Sequence, residues 1–247
     1  MSSSRCCPSR IHVPGPIYKG MRNAGPLARV GRAAHRAADA RRPRSCPPPA
    51  PARGVPSGSP DRLCLTLSER IPRIARHHRA VADLAGTLAR HIGLRDEALH
   101  AVVRAAELHD VGKVLVPEAI LNKPGALSDG ELALMRRHAI AGYLILHESA
   151  EPAPIAALVR SSHERWDGTG YPDGLSGEAI PLGARIITIC DAYDAMTHDR
   201  PYRPARSHAE ALAELRVGAG VKYDPCLVAV FTATVGASGY RATRAIQ

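Results

Sequence analysis

The stretch Leu108-His-Asp-Val-Gly-Lys113 decides the fold, because it sets an adjacent histidine and aspartate at the end of an apolar run. On both sides of this pair, further histidine and aspartate residues recur 25 to 32 positions apart. That interval is about the length of one helix and its connection. Successive core helices are therefore predicted to bring one such side chain each to a common point. These residues are His77, His138, His163 and Asp191.

Apolar residues around this pair recur with helical spacing. Ile74, His77, Val81 and Leu84 fall on one face of a helix, and no stretch alternates as a strand would. Further helix starts are indicated by capping-box sequences and by an Asp-Pro pair. They lie at Ser128-Asp-Gly-Glu131, Ser207-His-Ala-Glu210 and Asp224-Pro225. The third predicted helix runs from Ser128 through His138 to Ile145. These patterns predict one all-α domain of about seven helices over residues 68–240.

Charge and proline are concentrated in the first sixty residues. Eleven of the 33 Lys and Arg residues lie there with a single acidic residue, Asp39, whereas residues 61–247 carry 22 charges of each sign. Eleven of the 21 prolines lie there too. The basic composition therefore describes residues 1–67, predicted to be a disordered tail or a wrongly assigned N-terminus. It gives no reason to expect a nucleic-acid-binding core.

Other features exclude further classes of protein. No run approaches the roughly 20 apolar residues that a membrane span needs. The six cysteines form no C-x-x-C pair, so the sequence favours free thiols and a cytoplasmic location.

An inward-facing histidine or aspartate must be paired or bound to a metal ion, because burial of an unpaired polar group is unfavourable. Taken singly, each histidine is more often a hydrogen-bonded core residue. The adjacent His109-Asp110 pair shifts the balance toward a metal site. Imidazole and carboxylate ligands together suit Fe, Mn, Zn or Ni rather than Ca.

Several long motifs occur in a fixed order after this pair. They are Ile120-Leu-Asn-Lys-Pro-Gly125, His163-Glu-Arg-Trp-Asp-Gly-Thr-Gly-Tyr-Pro172, Ile180-Pro-Leu-Gly-Ala-Arg-Ile186 and Asp191-Ala-Tyr-Asp-Ala-Met-Thr-His-Asp-Arg-Pro-Tyr-Arg203. With Leu108-His-Asp-Val-Gly-Lys113 they resemble the HD-GYP family over about residues 77–232. The resemblance implies an HD-domain helical bundle with a Gly-Tyr-Pro loop. It also implies hydrolysis of cyclic di-GMP to pGpG or GMP.

The resemblance further implies roles for single residues. Two divalent ions, most simply Fe or Mn, would be bound by His77, His109, Asp110, His138, His163 and Asp191. Asp110 would bridge the ions, and Lys113 would contact the scissile phosphate. Substrate would be bound by Tyr171, Asp194, Arg200 and Arg203.

Two positions depart from the family pattern. Arg73 stands where a glutamate is common, and Ser162 stands where a histidine usually precedes His163. The second ion would then keep only Asp110, His138 and His163 as protein ligands and bind weakly.

Three functions therefore stay open from the sequence. The first is cyclic di-GMP hydrolysis. The second is binding of cyclic di-GMP or of a GGDEF-type partner without cleavage. The third is hydrolysis of another phosphate ester.

Overall fold

The computed structural model describes residues 58–71, 73–149, 151–199 and 204–237. Within these ranges the chain forms helices and no strand, which confirms the all-α prediction. The helices are α1 Pro60–Arg70, α2 Ile74–His91, α3 Asp96–Leu108, α4 Glu118–Leu121, α5 Asp129–Arg136, α6 His138–Glu148, α7 Ala153–Arg160, α8 Leu182–Thr197, α9 His208–Val217 and α10 Pro225–Ala237. Two 3-10 helices, Val111–Leu115 and Gly177–Ala179, lie between them.

The core lies between α2, α3 and α8, which carry apolar side chains at helical spacing. Val81, Leu84 and Leu88 of α2 are buried, as are Ile186 and Ile187 of α8. These helices also carry His77, the His109-Asp110 pair at the end of α3, and Asp191. Apolar packing of the three helices therefore fixes the relative positions of these polar residues.

The predicted helix starts are present in the structure. Ser128 and Ser207 each accept a hydrogen bond from the third backbone amide of their helices, and both capping boxes are complete. Asp224 Oδ1 accepts hydrogen bonds from the amides of Cys226 and Leu227 at the start of α10. Side-chain capping thus defines three of the helix starts.

Helical structure begins before the predicted domain boundary at residue 68. Helix α1 begins at Pro60 after the N-cap Ser59, and its Leu63 and Leu67 are buried against the rest of the domain. The sequence obscures this helix because its three leucines, Leu63, Leu65 and Leu67, do not share one helical face, and Leu65 is exposed. The predicted disorder of the preceding residues lies outside the described residues, except for residues 58 and 59.

The described residues form ten α-helices, whereas about seven were predicted. One cause is α1, and another is the short helix α4. A third is a break in the predicted helix from Ser128 to Ile145, which the structure divides into α5 and α6 around Arg137. At the break, His138 Nδ1 donates to the Met135 carbonyl at 2.7 Å, so a side chain satisfies an acceptor at the end of α5. None of the described helices is long and apolar enough to cross a membrane.

Candidate metal centre

The His109-Asp110 pair lies in the middle of the domain, where α3 ends. Their side chains are almost fully buried, at 1% and 2% exposure. The following 3-10 helix packs tightly against α6, because a Cβ on Gly112 would overlap the backbone of His138 and Gly142. This close approach brings the first turn of α6 next to the carboxylate of Asp110.

Three of the predicted ligand histidines have an acceptor oxygen within hydrogen-bond distance of Nδ1. His109 Nδ1 donates to the Ala106 carbonyl at 2.8 Å, and His138 Nδ1 donates to the Met135 carbonyl. His77 Nδ1 lies 2.6 Å from Asp194 Oδ2. His109 and His138, which donate through Nδ1, keep their Nε2 lone pairs free for an ion. Burial lowers the pKa of His77, but the carboxylates of Asp191 and Asp194 raise it to about 10, so an ion would displace a proton from its Nε2.

The structure brings all six predicted ligands together in two groups. In each group one ligand atom from every residue lies within 4.8 Å of the others. The groups are His77, His109 and Asp191, and Asp110, His138 and His163. Asp110 lies between them, with Oδ2 3.5 Å from His109 Nε2 and Oδ1 3.5 Å from His138 Nε2. This is the position that a bridging carboxylate requires.

The donor atoms fit divalent cations. Among the described residues, His109 Nε2 and Asp110 Oδ1 are buried without a hydrogen-bond partner. Burial raises the pKa of Asp110, but the opposing charge of Lys113 holds it well below its usual value, so Asp110 is a carboxylate. Burial lowers the pKa of His163 to about 3, so its imidazole is neutral. Neutral imidazoles and ionised carboxylates are the forms that bind metals.

A cavity of about 1160 Å³ opens onto both groups. Lys113 lines it, and its Nζ lies 2.6 Å from Asp110 Oδ2. Asp194 also lines it, but Oδ2 contacts His77 and Oδ1 lies 3.0 Å from His198 Nδ1. This geometry favours a role for Asp194 in orienting His77 over the predicted role in substrate binding.

The predicted Gly-Tyr-Pro loop forms one wall of the cavity. Tyr171 stacks on the ring of His163 at 5.2 Å between centroids, and the Arg136 guanidinium lies over the Tyr171 ring, 5.3 Å from its centroid. Glu164, 1% exposed, accepts hydrogen bonds from the backbone amides of Asp173 and Leu175 and so holds the loop. A Cβ on Gly170 would overlap the backbone of Glu164, which requires glycine there.

The remaining predicted positions are placed as follows. Arg200 and Arg203 lie outside the described residues, and their contacts with substrate phosphates stay predictions. Arg73 is exposed on the cavity rim, and its Nη1 donates to the Asp199 carbonyl at 2.9 Å. Ser162 is buried, and its Oγ donates to the Val159 carbonyl at 2.8 Å.

Sequence reasoning missed two residues of this region. Glu164 lies within a quoted motif, but only the structure shows that its carboxylate supports the loop. His78 is buried beside Asp110, with 3.9 Å between Nε2 and Oδ2. The doublet His77-His78 was the available signal, but consecutive helical residues point in different directions, so the apolar register of α2 indicates only His77.

The fold and the site together define an all-helical domain built around an adjacent His-Asp pair, the arrangement of an HD-type phosphohydrolase. The chain belongs to the HD-domain family, whose sequence model matches residues 64–227. The resemblance to HD-GYP proteins that was predicted from the sequence is confirmed.

Curated relatives are phosphodiesterases. The chain is 43% identical over 147 residues to the cyclic di-GMP phosphodiesterase response regulator RpfG of Xanthomonas campestris, a match that covers 59% of this chain and 39% of the relative. It is 38% identical over 165 residues to the 3'3'-cGAMP-specific phosphodiesterase 3 of Vibrio cholerae, covering 66% of this chain and 36% of that protein. The chain thus spans about two fifths of the length of the curated relatives it matches.

Solved structures share the fold. An HD-GYP-type protein of Bdellovibrio bacteriovorus, Bd1817, aligns with a TM-score of 0.55 at 22% identity, covering 66% of this chain and 52% of that one. The PgpH HD domain of Listeria monocytogenes, solved with cyclic-di-AMP, aligns with a TM-score of 0.56 at 21% identity, covering 75% and 99%. At these identities the likeness concerns the fold alone.

Proposed function

We propose that this domain is a metal-dependent phosphodiesterase that hydrolyses cyclic di-GMP. The observation that carries the proposal is the convergence of six histidine and aspartate side chains, with Lys113, on one cavity. The names of the relatives support a cyclic dinucleotide as the substrate class.

Six residues would hold two divalent ions. Asp110 would bridge them with its two oxygens, the ion on one side being bound by His77, His109 and Asp191 and the other by His138 and His163. When bound, such ions supply Lewis-acid activation of water and stabilise charge on phosphoryl oxygens. The mixed imidazole and carboxylate set favours Fe or Mn.

The residues of the chain would supply positioning and fixed charge. Lys113 carries an ammonium group beside the bridging carboxylate, where it can donate to a phosphoryl oxygen of a bound substrate. A preorganised charge of this kind typically stabilises a transition state by about 3 kcal/mol. Asp194 would keep His77 in the tautomer that binds an ion through Nε2.

The cavity fits a substrate larger than a mononucleotide. Its volume of about 1160 Å³ exceeds the roughly 300–1,000 Å³ of most small-molecule sites. Tyr171 lines this cavity and is proposed to contact the substrate. Arg200 and Arg203 are proposed to bind the substrate phosphates.

We expect the domain to act in the cytoplasm. Among the described residues, Cys64, Cys190 and Cys226 are free thiols, which agrees with a reducing compartment.

One observation favours a second function, binding of cyclic di-GMP or of a GGDEF-type partner without cleavage. The Ser162 hydroxyl donates a hydrogen bond to the Val159 carbonyl. The ion proposed to be bound by His138 and His163 therefore lacks an imidazole ligand at this position. Loss of that ion would leave a domain able to bind a dinucleotide but not to cleave it.

The test is turnover with measured metal content. The full chain, loaded anaerobically with Fe(II) or Mn(II), is incubated with cyclic di-GMP, 3'3'-cGAMP and bis(p-nitrophenyl) phosphate. We expect cyclic di-GMP to be cleaved fastest, to pGpG or GMP. Binding without turnover at full metal loading would favour the second function, and preference for the nitrophenyl ester would favour a hydrolase of other phosphate esters.

Asp110→Ala tests the bridging role in the same assay. We expect it to lose both metal retention and turnover, because both ions would depend on this carboxylate. The matched control is Asp83→Ala, an exposed carboxylate on α2. Wild-type metal content in Asp110→Ala would refute the bridging role.

A further inference from the structure

His78 lies beside the candidate metal centre with no assigned task. Its side chain is buried on α2, with 6% exposure. Its Nε2 is buried and has no hydrogen-bond partner among the described residues. The nearby Asp110 Oδ2, at 3.9 Å, is too distant for a hydrogen bond. A buried nitrogen left unpaired destabilises a fold, so a partner is expected.

The unpaired Nε2 of His78 lies on the side of the group formed by His77, His109 and Asp191. Asp110 Oδ2 is 3.9 Å from His78 Nε2 and 3.5 Å from His109 Nε2, so both imidazoles approach the same oxygen. The opposite oxygen, Oδ1, faces His138 instead. His78 therefore belongs to the side of the centre that holds His77, His109 and Asp191.

The three imidazoles on this side form a nearly equilateral triangle. Ring centroids are separated by 5.9 Å for His77 and His78, 5.4 Å for His77 and His109, and 5.3 Å for His78 and His109. Three imidazoles that share one ion at metal–nitrogen distances of about 2.1 Å and tetrahedral angles place their centroids about 5.3 Å apart. The observed centroid spacing is close to that of imidazoles around a common ion. His78 lies outside the group of His77, His109 and Asp191, whose ligand atoms are within 4.8 Å of one another, so its ring would have to shift toward the ion on binding.

We propose that His78 is a further ligand of the ion bound by His77, His109, Asp110 and Asp191. This rests on the metal centre of the proposed function. The centre is then asymmetric, because one ion gains an imidazole from His78 while the other lacks one at Ser162. The fuller ligand set binds its ion tightly. The ion of His138 and His163 keeps the open positions through which water and phosphate exchange.

Replacement of His78 by cysteine gives a direct readout of coordination. Co(II) is the probe, added to the metal-free full chain. A cysteine thiolate bound to Co(II) gives a charge-transfer absorption in the near ultraviolet, which a thiol elsewhere does not. We expect this band in His78→Cys at one Co(II) per chain. Wild type is the blank for the native cysteines, and Ala82→Cys, one turn further along the buried face of α2, is the control.

His78→Gln gives a second measurement that needs no new ligand. We expect the dissociation constant of the tighter Co(II) to rise more than about 100-fold, beyond the 10–100-fold that loss of an outer hydrogen-bond partner causes. A smaller rise, together with no band in a folded His78→Cys, would overturn the proposal. If His78→Cys does not fold, as judged by circular dichroism, the rise in His78→Gln decides alone.

The wild-type titration separates this inference from the proposed function. Two Co(II) per wild-type chain with no effect of either His78 substitution would refute the role of His78 and leave the metal centre intact. No Co(II) binding by wild type would refute both.

Discussion

Gly112 lies directly against the backbone carbonyl of His138, with no room for a side chain between them. This contact joins the 3-10 helix after the His-Asp pair to the first turn of α6. It therefore sets the distance between Asp110 and His138, two residues proposed to bind the same ion.

Gly112→Ala should lower the free energy of unfolding by about 3 kcal/mol, because the added Cβ overlaps backbone atoms that cannot rotate away. Thermal unfolding of the metal-free chain would show a melting temperature about 10 °C lower. The control is Gly130→Ala on exposed α5, where an added Cβ meets nothing within 4 Å. Alanine there should not lower the melting temperature, because alanine restricts the unfolded chain and meets no neighbouring atom. Equal melting temperatures for the two variants would contradict the close packing.

Asp194→Asn should weaken metal binding by about 10–100-fold while leaving the fold intact. The amide keeps the shape of the carboxylate but lacks the charge that holds the proton on His77 Nδ1. Metal competition titrations measure the effect. If Asp194 instead contacts substrate, the variant will retain wild-type metal affinity and show only a higher KM.

Ser162→His should increase retention of the second ion. A hydroxyl is a poor ligand for a divalent ion compared with imidazole. Metal retained after desalting and cyclic di-GMP hydrolysis at low free Mn(II) should both rise, and both gains should vanish in an Asp110→Ala background. Because Ser162 is only 2% exposed, the metal-free variant should also be less stable than wild type. If wild type already holds two ions after desalting and Ser162→His retains no more, then Ser162 does not weaken metal binding.

Two truncations test where the domain begins. Deletion of residues 1–57 keeps α1 and its cap, and the melting temperature should change by less than about 2 °C. Deletion of residues 1–71 removes the buried Leu63 and Leu67, each worth about 1.5–3 kcal/mol, and should destabilise the chain strongly. Similar melting temperatures for both would mean that α1 is dispensable.

The six proposed ligands could be predicted from the sequence because each lies in a long motif or in register with apolar residues of a core helix. His77 follows this rule, three positions after Ile74 on the inward face of α2. His78 could not be predicted, since it lies about 100° around the helix and its burial depends on how closely α3 approaches. Asp194 was associated with the site, but its contact with His77 depends on the relative rotation of α2 and α8.

The limits of the domain were harder to predict than its centre. Helix α1 directly follows an Arg- and Pro-rich stretch, and the composition of that stretch predicts disorder up to residue 67 despite the local signals for a helix. Those signals were present, with Ser59 as N-cap and Pro60 in the first turn. The division of α5 from α6 was hidden for a different reason. The break is stabilised by the side chain of His138, which is also in register with the apolar face.

Arg70, at the end of α1, donates to the carbonyls of Val114 and Val116 at 2.7 Å each. Those carbonyls flank the turn that carries Lys113. Helix α1 therefore supports the position of this lysine through two hydrogen bonds. A rotation of α1 would break both hydrogen bonds and leave the turn of Lys113 less restrained. The position of the Lys113 ammonium group, which is proposed to contact the substrate, is thus supported by Arg70, a side chain that does not line the cavity.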